Sequence, residues 1–411
     1  MKKIFLSVVI ILSVPSLSSA QEKDEDFGID FSGFVKNDVF YDSRQNVTAR
    51  EGHFLLWPKP ELPDVNQRDI NAKSNFNILA VQSRISGTIT GPDALGAKTS
   101  GKIEGDFFAQ ANDNINLFRL RHAFVRLDWD NTQLLAGQYW NPMFVTSCFP
   151  GTVSFNTGVP IQPFARNPQI RLEHNLGSFN VIAAALAQRD YPSRIDKVVD
   201  SKFLRNSGTP DMHLQLHYNH SSLNAGAGIA YKTIVPRLVT DEAVKTNADV
   251  SGLSALAFVK LALEPITIKF EAVSGQNATD VLQISGFAVE SIQPATDKRS
   301  YLPLRNMSVW TDIHTNGAPI QLGIFAGYTK NRGTKHNIVN DPDLIFGFGD
   351  NIASLYRVSP RMFYKSGKVK FGLEGEYTSA TFGDGYNQKA VPVNTQTVEN
   401  MRILLSAYYY F

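Results

Sequence analysis

Apolar side chains recur at every second position over most of the chain, in runs of roughly ten residues. In one such run Met212, Leu214 and Leu216 alternate with His213 and Gln215. The side chains of a β-strand point alternately to its two faces, so each run predicts a strand with one apolar and one polar face. The three-to-four-residue spacing of an amphipathic helix is rare. We therefore expect an all-β protein.

The connections between these runs are short and long in turn. Tight turns are expected at 131–132, 177–178, 221–222, 264–265, 316–318 and 366–367, and long connections at 43–73, 142–166, 191–210, 236–250, 276–304, 331–350 and 381–396. Short turns at one rim and long loops at the other are typical of transmembrane barrels. We predict a transmembrane antiparallel β-barrel of 16 strands, with 14 or 18 compatible with the same pattern. The strand-like segment 281–290 is assigned to the long connection 276–304.

The first twenty residues have the features of a secretory signal. Two lysines precede an apolar stretch of 11 residues, Ile4 to Val14, and small residues lead up to Ala20. A membrane-spanning helix needs about 20 apolar residues, so the shorter stretch favours a cleaved signal peptide over an anchor. We expect residues 1–20 to be removed and 21–411 to form the barrel, in the outer membrane of a Gram-negative bacterium.

Composition and charge exclude other classes of protein. The 411 residues include 40 Lys and Arg against 38 Asp and Glu, and two of the lysines belong to the predicted signal. The mature chain is then neutral, which argues against nucleic acid as a partner. The single cysteine, Cys148, cannot form an intramolecular disulfide. Its thiol either packs inside the protein or is accessible in the connection 142–166.

The final run of alternating residues ends the chain on an aromatic side chain. Tyr409 and Phe411 lie on the apolar face of this predicted strand. The pattern resembles the C-terminal signal by which outer-membrane barrels are recognised for insertion, and aromatic residues suit the interfacial girdle of a barrel. We therefore expect two partners, the barrel-assembly machinery through Tyr409 and Phe411 and the lipid of the outer membrane.

Several short stretches resemble known porins. LRHAFV at 120–125 and LAGQYWNP at 135–142 are similar to the fourth and fifth strands of general porins, ahead of their constriction loop. FSGFVKND at 31–38 and AREGH at 49–53 resemble DcaP-like outer-membrane porins, and the similarity runs the length of the mature chain. The resemblance implies a 16-stranded homotrimer that passes small, often anionic, solutes. The N-terminal coiled coil of some members is not expected here, so trimer contacts would involve the barrel wall.

The polar member of each alternating pair should face the lumen of the barrel, because charges on the lipid face are costly. The basic candidates are Arg84, Lys102, Arg119, Arg121, Arg171, Lys269, Arg357, Arg361, Lys368, Lys370 and Arg402, and the acidic ones are Glu104, Asp106, Glu173, Glu271, Glu374 and Glu376. Pairing with a charge on a neighbouring strand is an alternative role for each of them.

The connection 142–166 is expected to fold inward and narrow the channel. It carries several aromatic residues and only one charge, Arg166. A loop without acids would leave nearby wall arginines uncompensated, and their field would favour anionic or neutral solutes. The predicted pore-lining and constriction residues are Arg84, Arg119, Arg121, Arg166, Arg171, Arg357, Arg361, Glu104, Asp106, Phe144 and Phe155.

The sequence contains no G-x-S-x-G, H-E-x-x-H, Walker or dinucleotide-binding motif. His213 and His217 share a strand face but are about 13 Å apart at 3.3 Å per residue, too far to bind one metal ion. Neither a cofactor nor an enzymatic activity is expected. The sequence favours a porin for passive diffusion of small hydrophilic solutes. The alternative is an outer-membrane scaffold or adhesin that acts through its long external loops.

Overall fold

The computed structural model describes residues 27–109, 111–195, 198–317 and 319–411, so the predicted signal peptide lies outside the described residues. Sixteen antiparallel strands form one closed barrel. They are β1 Gly28–Asp42, β2 Asn75–Leu79 continued by Arg84–Ala94, β3 Ala97–Asp106, β4 Arg119–Asp128, β5 Thr132–Trp140, β6 Arg166–Leu176, β7 Phe179–Leu186, β8 Asp211–His220, β9 Leu223–Ile234, β10 Val250–Ala262, β11 Ile266–Gln276, β12 Lys298–Thr315, β13 Ile320–Gly333, β14 Ile352–Ser366, β15 Val369–Gly383 and β16 Thr395–Tyr410. The predicted fold and strand number are confirmed.

The barrel closes between its first and last strands. Phe34 pairs with Tyr410, and the register continues to Asp42 and Arg402. The amide of Phe411 donates to the carbonyl oxygen of Gly33 at 3.2 Å, which extends the pairing to the last residue. β2 lies on the other side of β1. No strand edge remains open in the ring, as a membrane barrel requires.

The alternation of side chains divides the wall into two faces. Met212, Leu214 and Leu216 are about half exposed on the outside, whereas His213 and Gln215 are buried inside. The outer face is therefore apolar and the inner face polar, as a barrel in lipid requires.

One end of the barrel carries the long loops, and we call it the long-loop end. Short strands occur there at Asn46–Ala49, Phe54–Pro58, Arg194–Ile195, Val198–Val199, Ser285–Gln293 and Ile345–Phe348, with a helix at Lys202–Arg205 and 3-10 turns at Ile70–Ala72, Asn112–Asn114, Thr279–Val281 and Pro342–Leu344. The segment 281–290, assigned to the connection 276–304, thus overlaps a strand, but this strand pairs outside the ring, with the start of β12. Within the described residues no helix is long and apolar enough to cross a membrane.

Candidate functional site

The loop between β5 and β6, residues 141–165, folds into the barrel, and we call it the inward loop. At its base the amide of Asn141 donates to the carbonyl oxygen of Ala165 at 3.0 Å. Most of its apolar side chains are buried, among them Phe144, Phe155 and Phe164. These rings pack on one another, on Trp140, on Phe54 of the first long loop and on Phe108 of the loop between β3 and β4.

The inward loop reaches strands far from its own base. The amides of Val153 and Ser154 donate to the carboxylate of Glu374 on β15 at 2.6 and 3.2 Å. The amide of Gly151 donates to Asp312 on β12 at 3.0 Å. Buried backbone N–H groups outside regular structure need such acceptors. The acids of the wall therefore hold the loop across the lumen.

A group of charged residues on β2, β3, β4 and β6 and in the loop after β7 faces the base of the inward loop, and we call it the arginine cluster. Its members are Arg84, Glu104, Asp106, Arg119, Arg121, Arg166 and Asp190. Arg119 lies 2.7 Å from Asp106, and Arg121 lies 2.8 Å from Glu104. Four guanidinium groups thus face three carboxylates, so the cluster keeps an excess of positive charge.

Asp190 is a member of the arginine cluster that the sequence pattern does not reveal, because it lies in the loop after β7. Arg166 reaches its carboxylate at 2.7 Å. Burial alone would raise the pKa of Asp190, but the charges of Arg166 and Arg119 outweigh burial and hold the pKa at about 2. This carboxylate therefore stays ionised at neutral pH.

Several guanidinium nitrogens in this part of the lumen are buried and lack a hydrogen-bond partner among the described residues. Arg84 Nε, Arg119 Nη1, Arg166 Nη1 and Arg171 Nε have no hydrogen-bond partner within the described residues. The ion pair between Arg171 and Glu173 is long, at 3.4 Å. Arg84 lies 3.8 Å from each of its two carboxylates. Buried donors without partners are unfavourable, so an anion or water is needed to satisfy them.

The other two predicted arginines lie on β14, away from the arginine cluster. Arg361 makes a two-point ion pair with Asp312 at 2.8 and 3.0 Å. Arg357 lies 3.3 Å from Glu376. The predicted residues therefore form two groups, one beside the base of the inward loop and one beneath its far part. Phe155 approaches the first group, with Arg119 5.9 Å from its ring.

The wall arginines have acidic partners on the wall itself. The wall arginines were expected to be uncompensated because the inward loop has no acid, yet Asp106, Glu104 and Asp312 pair with most of them. The acids lie on the wall, where strand register places them opposite the arginines. Asp312 was missed although it alternates with outward residues of β12, because Trp310 interrupts the polar pattern.

Cys148 is fully buried in the inward loop. Its sulfur lies 3.6 Å from the carbonyl oxygen of Val259. Burial, and after it the nearby Glu271 carboxylate, raises the pKa of the Cys148 thiol to about 12. Of the two roles left open by the sequence, the packed side chain agrees with this geometry.

Two histidines that face the lumen contact acceptor oxygens of neighbouring side chains. Ser406 and His53 both bind the carboxylate of Asp38, so the imidazole does not contact the hydroxyl as a general base would. His217 instead contacts the side-chain oxygen of Gln215 at 2.9 Å. No cluster of three or more potential metal ligands occurs in the part of the chain that the structure describes.

Comparison with known proteins finds similarity in structure alone. No family model and no curated protein sequence matches the chain. The outer membrane channel DcaP of Acinetobacter baumannii superposes with a TM-score of 0.70 at 16% identity, covering 96% of this chain and 100% of that one. An anion-selective porin from Comamonas acidovorans gives 0.57 at 10% identity, covering 94% and 100%. OmpT, an outer-membrane protein of Vibrio cholerae, gives 0.56 at 12% identity, covering 95% and 99%.

At these identities the comparisons establish a shared fold. The DcaP channel agrees with the resemblance seen in the sequence, since its whole length is covered by this chain. The protein therefore has the fold of outer-membrane porins, and the DcaP channel has that fold too.

Proposed function

We propose that the protein is an outer-membrane porin for passive diffusion of small hydrophilic solutes, with a weak preference for anionic or neutral ones. Solutes would pass between the inward loop and the arginine cluster. No cofactor or chemical step is involved, because the solute moves down its own gradient. The DcaP channel and the anion-selective porin from Comamonas acidovorans have this fold, which supports the proposal.

The observation that carries the proposal is the arginine cluster beside the inward loop. Its arginines exceed its carboxylates, and four guanidinium nitrogens in and beside it have no partner within the described residues. The inward loop adds no acid to offset this excess. Like-signed groups in a narrow, weakly solvated passage focus the field and raise the local concentration of anions.

A planar-bilayer recording tests the proposal. Purified protein is inserted between two KCl solutions of different concentration, and the zero-current potential is measured. We expect open single channels and a potential of the sign set by chloride movement. A cation-selective potential would overturn the anion preference. A silent bilayer, with folded protein verified in the membrane, would overturn the channel function.

A silent bilayer would favour the alternative, a scaffold or adhesin that acts through the long-loop end. That end is a packed surface: Phe203, Ile234, Phe287 and Tyr301 form one buried apolar cluster across several loops. Binding of cells or proteins to the loops, lost when the hairpin 285–304 is shortened, would identify this role.

Export, insertion and assembly complete the proposal. Residues 1–20 would be removed during export, which N-terminal sequencing of the mature protein tests by a start at Gln21. Tyr409 and Phe411 are 53% and 45% exposed at the end of β16, where the assembly machinery could recognise them.

We propose a homotrimer in the membrane, and crosslinking before detergent extraction tests this. One OmpT structure is itself described as a trimer form.

A further inference from the structure

A groove of about 600 Å³ opens on the outer face of β5 to β7, close to the long-loop end. Ala136, Ile170 and Ala185 form its floor, and they are register neighbours on three adjacent strands. Two of these three are alanines, whereas Leu172 and Met212 project from the neighbouring outward positions. The groove is therefore a local depression in the apolar wall, with a volume typical of small-ligand pockets.

The side of the groove nearest the long-loop end is formed by the segment 204–210. Leu204 and Pro210 line it. Leu204 is 4% exposed, and the amide of Val235 donates to the carbonyl oxygen of Phe203 at 2.9 Å. This anchor fixes the segment to the end of β9. The groove is thus shaped by packed structure on two sides.

One arginine lines the groove and a second lines a neighbouring cavity, and neither has a carboxylate closer than 3.8 Å among the described ion pairs. The side chain of Arg205 lines the groove and is 70% exposed, and its nearest carboxylate, that of Asp200, is 3.8 Å away. Arg189 is exposed and has no ion pair within the described residues. It lines the adjoining cavity with Gln138, and the register partner of Gln138 is Pro168, which lines the groove.

We propose that this groove binds a phosphorylated, multiply acylated glycolipid of the outer leaflet. An acyl chain would fill the apolar floor, and Arg189 and Arg205 would bind phosphate at the membrane surface. Guanidinium groups bind phosphate through two parallel hydrogen bonds, which an uncharged head group cannot reproduce. The inference rests on the proposed outer-membrane location, since the long-loop end must then face the outer leaflet.

Native mass spectrometry of the full chain in detergent tests this site. The probes are bisphosphorylated lipid A and the same lipid without phosphates. Ala185→Trp fills the groove from a lipid-facing position. Arg205→Glu reverses the charge in the groove, and Arg189→Glu reverses the charge in the neighbouring cavity. The control, Ala326→Trp, fills a separate outward pit of about 340 Å³ on the opposite part of the wall.

Wild type and Ala326→Trp are expected to retain bisphosphorylated lipid A, and each of the other variants to lose roughly tenfold in affinity, the equivalent of one charge-assisted pair. The lipid without phosphates should bind wild type and the two arginine variants equally. Equal binding of bisphosphorylated lipid A to all variants would overturn the site. An oligomer that Ala185→Trp dissociates in the absence of lipid would also overturn it, and would show contact between copies.

The same preparations separate this site from the channel. Conductance should be unchanged in Ala185→Trp, because the substitution faces lipid. A protein that binds lipid A but does not conduct would refute the porin and keep the lipid site. A protein that conducts but does not bind lipid A selectively would refute the lipid site and keep the porin function.

Discussion

The guanidinium of Arg357 donates a hydrogen bond of 2.6 Å to the carbonyl oxygen of Leu56, a residue 301 positions away in sequence. The same guanidinium donates to the carbonyl oxygen of Val159 at 2.5 Å and to the hydroxyl of Thr378 at 2.8 Å. One side chain of β14 therefore joins the first long loop and the inward loop to the wall.

Replacing Arg357 should loosen both loops at once. In Arg357→Met two loop carbonyls lose their donor and Glu376 loses its cation, and breaking a buried pair costs about 3–5 kcal/mol. Hydrogen exchange should accelerate at 54–58 and at 157–161, and open-channel current noise should rise. Lys330→Met, which removes an exposed lysine from β13, is the control and should leave both measurements unchanged. Unaltered exchange in the two loops of Arg357→Met would contradict this role.

Removing Arg84 should weaken anion preference with little loss of stability. Its guanidinium is 3.8 Å from each carboxylate and partly exposed, so its ion pairs contribute at most about 1 kcal/mol. Arg84→Gln should move the zero-current potential in a KCl gradient towards cation selectivity. Lys298→Gln removes the same charge at the long-loop end and should not move it. Equal potentials for wild type and Arg84→Gln would exclude Arg84 from the selective passage.

The contact between Asp190 and Arg166 should weaken in acid. The folded pKa of Asp190, about 2, lies below its ordinary value of 3.8. A lowered carboxyl pKa stabilises the fold fully above the ordinary value, and this contribution, about 2 kcal/mol, is lost as the pH falls from about 4 through 2. Hydrogen exchange over 187–193 should therefore rise in that interval. Asp190→Asn should show fast exchange already at pH 7, and a flat profile in the wild type would contradict the assignment.

Cys148 should resist thiol reagents in the folded protein. With a pKa of about 12 and no exposed surface, the thiol at pH 8 is ionised in about one molecule in 10⁴. A charged methanethiosulfonate should leave single-channel conductance unchanged. Heating in SDS should then make labelling complete. Rapid block of the folded channel would place the thiol in the passage.

Gly33 should be intolerant of any side chain. A Cβ there would lie 2.2 Å from the carbonyl oxygen of Arg84 and 2.7 Å from the ring of Phe411. Gly33→Ala must displace the seam where the barrel closes, at a cost of about 1–3 kcal/mol. The temperature at which the barrel unfolds in SDS should fall. At Gly91 the nearest atom to a Cβ is Thr99 Oγ1 at 3.6 Å, so Gly91→Ala should unfold like the wild type.

The barrel was predictable because strand periodicity is local. The alternation with adjacent residues predicts that Leu214 faces outward and Gln215 inward. The turns at 177–178 and 221–222 also lie at the predicted positions. The pairing of charged side chains was harder to predict from the sequence. Asp106 meets Arg119 through strand register, whereas Asp190 and Leu56 reach the lumen from long loops, where no period indicates direction. Arg84 and Arg357 were both predicted as lumen residues, but only the fold separates them into different groups.

The wall holds the inward loop mainly through the backbone. The main-chain N–H groups of Gly151, Val153 and Ser154 donate hydrogen bonds to carboxylates on β12 and β15. The position of this part of the loop is therefore encoded in the strands, while its own side chains are not needed for those contacts. Val153 and Ser154 are buried and a side chain at Gly151 would meet Arg361 at 2.7 Å, so these three positions are not free to change. Substitution at an exposed loop position such as Thr146 could instead alter the chemistry of the passage and leave the backbone contacts to the wall in place.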